Sequence, residues 1–274
     1  MLKTRVMTAI VILAVTLCVV FLAPPLVFKG IIAILLMTGC REYGRISDLP
    51  GTGTAVLMVL QAALFALLFY MWDAANQFVI ELLAVFCAAW LLMFIRLKAT
   101  RAGESPAPDS LFRSLGFLSA PAALTGCWFA LSWLHEQPSG PMLVILLLLI
   151  IAASDTGAYF TGKQFGKRKL SPVISPNKTW EGVYGGLALA VPAAWIWANP
   201  VAGFDIPLWQ LVVITVATAF ASIGGDLYIS LQKRRTGLDD AGKLFPGHGG
   251  VLDRYDSLLA GAPFFALAIA WLKA

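Results

Sequence analysis

Two stretches of this 274-residue chain gather the residue types that phosphoryl-group chemistry needs. The longer, GGDLYISLQKRRTGLDDAGKLFPGHGGVLDRYDS over 224–257, brings Asp226, Asp253 and Asp256 together with Lys233, Arg234, Lys243 and Arg254. Asp253 and Asp256 are three residues apart, a spacing that sets both carboxylates on one face of a helix. Lys233 and Arg234 follow Asp226 by seven and eight residues, so on a continuous helix they stack two turns beyond it on nearby faces. Paired hard-oxygen ligands beside cations suit a Mg²⁺-phosphate site, in which carboxylates hold the metal and Lys or Arg neutralises charge that develops on transfer. Gly247, Gly249 and Gly250 are read as letting the backbone approach a bulky charged ligand. His248 is read either as a general base or phosphate hydrogen-bond donor, or as a structural hydrogen-bonder.

The second stretch is SDTGAYFTGKQFGKRKLSPVISPNKTWEG over 154–182. Asp155 interrupts an otherwise apolar run, and an ionisable residue at membrane depth is costly enough to raise a functional hypothesis; pairing with a neighbouring helix is the alternative. Lys163, Lys167, Arg168, Lys169 and Lys178 follow, a basic loop that by itself signals only topology or anionic lipid. Ser175 as N-cap with Pro176 at the first helical position predicts a helix start there. The free amides of its first turn, with Lys178 among them, would then face an anion.

The elements that must carry these residues are membrane helices. The chain is 59% hydrophobic and 13% charged, with a mean hydropathy of +0.81, beyond the range of ordinary soluble domains. Nine stretches approach the roughly 20 apolar residues that cross a bilayer: 6–23, 24–40, 51–71, 77–95, 115–134, 141–160, 182–199, 207–228 and 256–273. With the N-terminus cytoplasmic and the helices alternating, 18 of the 20 Lys and Arg lie inside and only Lys29 and Lys273 outside, as the positive-inside rule requires. The expected fold is an all-α polytopic membrane protein of about nine transmembrane helices, N-terminus cytoplasmic and C-terminus outside. Residues 1–140 are read as an N-terminal set of about five helices, and 141–274 as a catalytic region of about four helices with two cytoplasmic motif loops.

Other readings are weaker. The net charge of +5 does not indicate nucleic acid, because no soluble module with a basic face is present. The first apolar run is too long for a signal-peptide core and lacks a clear cleavage site, so it reads as a retained helix. Cys18, Cys40, Cys87 and Cys127 form no CxxC pair and read as small apolar packing residues. GTGTAV at 51–56 lacks the Gly-Lys-Ser/Thr of a phosphate loop. Glu81 reads as an interfacial carboxylate near a helix start, and RLKATRAGESPAPDS at 96–110 as a flexible cytoplasmic link.

The pattern GDLxxSxxKRxxGxxDxGxxxPGHGGxLDRxDS, from Gly225 to Ser257, resembles the signature of the phosphatidate cytidylyltransferase (CDP-diacylglycerol synthase) family. DTGAYFTGKQFGKRKLSPVISPNKTWEG resembles that family's other cytoplasmic motif, and together they cover roughly the last 120 residues. The resemblance implies a multi-pass enzyme of the bacterial inner membrane, its active site facing the cytoplasm, that joins CTP and phosphatidic acid into CDP-diacylglycerol and pyrophosphate. It implies Mg²⁺, with K⁺ as a second cation, and a homodimer. By position, Asp226 and Asp253 match the family's metal-binding aspartates and Asp256 the last aspartate of the same motif. Lys233, Arg234 and Arg254 match basic positions near the phosphates, and Lys178, Lys243 and His248 complete the expected phosphate-binding set.

Three positions depart from the family pattern. Asp239-Asp240 stands where Lys-Asp is usual, Ile229 where glutamate is common, and Lys163 where arginine is frequent. The rival from another class is a secondary transporter that uses Asp155 and Asp226 as an ion pathway.

Overall fold

A computed structural model of the protein describes residues 2–99 and 108–273. The elements run α1 (Leu2–Leu22), α2 (Pro25–Ile46), α3 (Gly51–Tyr70), α4 (Trp72–Gln77), α5 (Val79–Ala99), α6 (Ser110–Glu136), α7 (Gly140–Phe165), β1 (Lys169–Ser171), β2 (Ser175–Thr179), α8 (Trp180–Ile196), α9 (Leu208–Thr236) and α10 (Leu252–Lys273). Each of the nine apolar stretches overlies a helix, and the six-residue α4 was not anticipated. Among the described residues, α3, α5, α6, α7, α9 and α10 are long and apolar enough to cross a membrane. The 17-residue α8 is short for a span, and α2 carries Lys29, Arg41, Glu42 and Arg45 toward its ends. Most of the 96–110 link lies outside the described residues, but Asp109 caps α6 by accepting from the Phe112 amide at 2.7 Å.

Breaks between helices follow local chemistry. Pro25 opens α2 and Pro50 precedes α3, each using a residue that lacks an amide donor where the helix would leave one unpaired. Gly237, at φ +68°, ends α9: its N–H donates to Arg234 O and that of Leu238 to Lys233 O, satisfying the last carbonyls.

The all-α expectation needs one correction. Ser175 and Pro176 do not begin a helix. Ser175–Thr179 is extended and pairs antiparallel with β1, Lys169 opposite Thr179 and Ser171 opposite Ser175. The fixed φ of Pro176 suits extended backbone as well as a first helical turn. The helix starts five residues later, where the Thr179 hydroxyl accepts from the Gly182 amide at 3.1 Å.

One apolar core, containing Trp90, Trp128, Phe129 and Phe265, joins residues from before and after position 140. The helices that carry the motifs pack unusually closely. A β-carbon on Gly157 of α7 would meet Gly185 O of α8 at 2.5 Å, and one on Gly186 would meet Ser154 O at 2.6 Å, so small residues let the two backbones touch. At the far end of α2 from Glu42, Lys29 is 5% exposed and pairs with Glu136 at 2.5 Å. Lys29, placed among the outside cations by the sequence, is thus buried within the helix bundle.

Candidate active site

The site forms where α9 and α10 meet. A β-carbon on Gly225 would lie 2.6 Å from Asp256 O and 2.9 Å from the Ala260 side chain, so glycine is what allows the helices to close here. That contact sets Asp226, the next residue, beside the first turns of α10. Asp226, Lys233, Asp253, Arg254 and Asp256 then line one cavity of about 580 Å³, with Asp155 of α7 and Asp240. The expected shared face of Asp253 and Asp256 is realised, and α9 does continue through Lys233.

The charges are paired in a specific way. Lys233 Nζ donates to Asp253 Oδ1 at 2.8 Å, from a side chain 15% exposed against a carboxylate 3% exposed. Asp253 Oδ2 accepts from the amides of Ala241, at 2.9 Å, and Gly250, at 2.8 Å. Lys178, at the end of β2, pairs with Asp226, whose Oδ1 also accepts from the Ser230 hydroxyl at 3.1 Å. Asp155 and Asp256 both lie within electrostatic reach of Asp226 and Lys178. The hairpin that presents Lys178 is pinned by Glu181, which accepts from the Lys167 and Arg168 amides at 3.0 and 3.1 Å. Those amides, the Lys167 one foremost, hold the Glu181 carboxyl down at about 2.

A second cavity of about 600 Å³ adjoins the first through Asp240 and Arg254 and is lined by Lys243, Gly247, His248 and Gly249. Arg254 Nε donates to His248 O at 2.9 Å. His248 Nδ1 is buried without a hydrogen-bond partner, a polar atom suited to an incoming ligand. The glycines here serve differently from the reading of their spacing. Gly247 and Gly249 adopt φ of +74° and +83°. A β-carbon on Gly249 would strike the protein's own Asp253 Oδ2 at 2.5 Å, and one on Gly250 would overlap the Glu42 carboxylate. They make room for internal carboxylates, because the loop folds back on its own anions.

Arg234 is not brought to either cavity; it points to solvent, 3.8 Å from a 98% exposed Asp239. Lys233, expected above Asp226, turns instead to Asp253. Of the departures from the family pattern, Ile229 is fully buried in the apolar core and Lys163 stands 5.9 Å over the Tyr159 ring. Asp239 faces away from the cavities while Asp240 lines both. Asp239→Lys is therefore expected to change turnover by less than about threefold, the range of an exposed charge, in a steady-state assay; a larger gain or loss would place Asp239 among the substrate contacts.

Three members of the site lay beyond the candidate set, and one of them is Asp240, which lines both cavities. Asp155 had been singled out by its burial cost, but nothing in the spacing connected it to α9 and α10. Glu42, 209 residues from Val251, accepts from the amides of Val251 at 3.1 Å and Leu252 at 2.9 Å. It stands between Arg41 and Arg45, so in sequence it reads as part of an ordinary interfacial charge cluster.

The donor set suits a hard cation. Five aspartates and two cations line the first cavity, an excess of negative charge that a divalent ion would balance, and carboxylate oxygens are its preferred ligands. As arranged, the lysines occupy part of that donor set, and among the described residues no three His, Cys, Asp or Glu converge closely enough to hold a metal.

Comparison with known proteins agrees with the resemblance carried by residues 225–257. The chain is 35% identical to the phosphatidate cytidylyltransferase of Haemophilus influenzae, over 97% of this chain and 98% of that one. It is 36% identical to that of Pseudomonas aeruginosa, over 99% and 97%. The Bacillus subtilis phosphatidate cytidylyltransferase is 39% identical over 58% of this chain and 60% of its own length. The cytidylyltransferase family model matches residues 3–272, nearly the whole chain, and the chain therefore belongs to the cytidylyltransferase family.

Proposed function

We propose that this protein transfers the cytidylyl group of CTP to phosphatidic acid, giving CDP-diacylglycerol and pyrophosphate. Beyond the family, the observation that carries this reading is a junction of two unlike cavities. An apolar cleft of about 650 Å³, formed largely by α1 and α2, shares Leu148, Tyr255 and Leu258 with the charged cavity. It also shares Phe245 and Pro246 with the second polar cavity. A substrate with acyl chains and a phosphate head needs such a junction, with its tails on apolar walls and its head among charges. An ion pathway does not need it, and the full-length relatives give the transporter reading no support.

A phosphate oxygen of phosphatidic acid attacks the α-phosphorus of CTP, a new P–O bond forms, and the bond to the β-phosphate oxygen breaks as pyrophosphate leaves in line. No side-chain nucleophile is required, because the lipid phosphate is one. The protein's part is to orient two polyanions and balance their charge. Lys233 and Arg254 line the reaction cavity, Lys178 adjoins it at Asp226, and Lys243 and His248 extend the polar surface into the second cavity. Asp226 and Asp253, with Asp256 beside them, would hold Mg²⁺, which when bound supplies positive charge at the phosphate oxygens. Binding then requires the carboxylates to exchange their lysine partners, and the released ammonium groups become available to phosphate. K⁺ as a second cation and association as a homodimer belong to the same proposal by family resemblance.

The reading also puts nine spans in a bacterial inner membrane with the site facing the cytoplasm. The 18-to-2 distribution of Lys and Arg supports it. Cysteines introduced singly at 170 and 240 should label from the same, cytoplasmic side; labelling from opposite sides would overturn the topology. The activity itself is tested with CTP labelled in the cytosine ring. Label should enter the organic phase only when phosphatidic acid and Mg²⁺ are both supplied, and label that stays aqueous under all conditions would contradict the proposal.

A further inference from the structure

Glu42 reaches from the first half of the chain into the motif loop and accepts two hydrogen bonds from its backbone. It is half-buried at the last turns of α2. Its two carboxylate oxygens accept from two consecutive amides, Val251 and Leu252, at the entry to α10. The preceding amide, Gly250, donates to Asp253 Oδ2 at 2.8 Å. Three successive N–H groups are thus shared between Glu42 and Asp253, and the rotation of this short segment sets where Asp253 points. These are donors that a helix start otherwise leaves unpaired, and a carboxylate there is favoured by the helix dipole.

The loop is shaped to admit this carboxylate from both sides. A β-carbon on either Gly242 or Gly250 would overlap it. One turn earlier on α2, a β-carbon on Gly39 would lie 3.3 Å from the Leu252 side chain and 3.5 Å from that of Val251, so the backbone itself comes close. A carboxylate held between two glycines, with both oxygens engaged, has one position available, and the segment bonded to it has little more.

We propose that Glu42 is a positioning residue: by fixing the Val251 and Leu252 amides from α2, it holds the 240–252 loop so that Asp253 faces Lys233 and the cavity. This rests on the reading of Asp253 as a member of the active site. Glu42 lines neither of the two polar cavities of the site. Its neutralisation is expected to act as loss of an outer partner of a ligand does, by about ten- to a hundredfold.

The test compares Glu42→Gln and Gly242→Ala with the unaltered protein, alongside Asp253→Asn. The first weakens the carboxylate's hold and the second displaces it from the opposite side. Folding is followed by size-exclusion profile and thermal unfolding in detergent. The functional readouts are kcat, KM for each substrate, and binding of Mn²⁺ in the absence of substrates, followed by loss of the free-ion electron paramagnetic resonance signal. In folded samples, both variants are expected to lower kcat and weaken Mn²⁺ binding about tenfold or more, with KM for phosphatidic acid within about threefold. A folded variant of either kind with kcat and Mn²⁺ binding within twofold of the unaltered protein would overturn the proposal. Failure of both variants to fold would also overturn it, making Glu42 a purely structural cap. If Asp253→Asn keeps full activity, the site assignment fails instead; if it is inactive while Glu42→Gln is unaffected, only the positioning role fails.

Discussion

Asp253→Asn is expected to lower turnover by about a thousandfold or more, the scale of removing a preorganised charged group from a phosphoryl-transfer site. The side chain is nearly isosteric, so the loss reflects charge and not volume. Asp253 uses both oxygens, one for the Ala241 and Gly250 amides and one for Lys233. Asparagine has a single acceptor oxygen, and its amide nitrogen cannot accept from an ammonium group. If the loop amides keep the oxygen, Lys233 loses its partner and a divalent cation loses a ligand. Turnover of a folded, monodisperse variant under saturating substrates measures the effect. A rate within tenfold of the unaltered protein would remove Asp253 from the reaction.

Lys233→Gln is the second large effect, about a hundredfold or more in kcat/KM. Among the described residues five aspartates but only Lys233 and Arg254 line the reaction cavity, so deleting one of these two cations deepens the negative excess that opposes both polyanionic substrates. Lys233 is the more enclosed of the pair, its side chain 15% exposed, and enclosure strengthens its interactions relative to water. Lys233→Arg should recover only part of the loss. It restores the charge, but a planar fork replaces a compact ammonium that meets Asp253 Oδ1 at 2.8 Å. Equal activity in Lys233→Gln and the unaltered protein, across a range of CTP concentrations, would contradict this role.

The two positions also mark what the sequence could and could not convey. Asp253 and Asp256 were legible because a three-residue spacing on a helix determines a shared face. Their meeting with Asp226 was legible only as a resemblance, since the contact depends on Gly225 fitting against Asp256 O. The helices were legible by their apolar runs, because runs of about twenty apolar residues have few other uses, but α2, α7 and α9 continue five to eight residues beyond those runs. Ser175-Pro176 misled, since a Ser-Pro pair serves a strand entry as well as a helix cap, and the partner strand that decides between them is only three residues long. Lys233 could be placed near Asp226 by periodicity, but its choice of Asp253 depends on how α10 lies against α9. Glu42 could not be seen at all, because its partners are backbone amides some 209 residues away and backbone donors leave no mark in a sequence.

The most direct measurement is pyrophosphate release by the purified protein in detergent with Mg²⁺, CTP and phosphatidic acid, omitting each in turn and including Asp253→Asn. Release that requires all three components and disappears in the variant is the expected result. A folded sample that releases no pyrophosphate and binds no CTP would contradict the cytidylyltransferase reading.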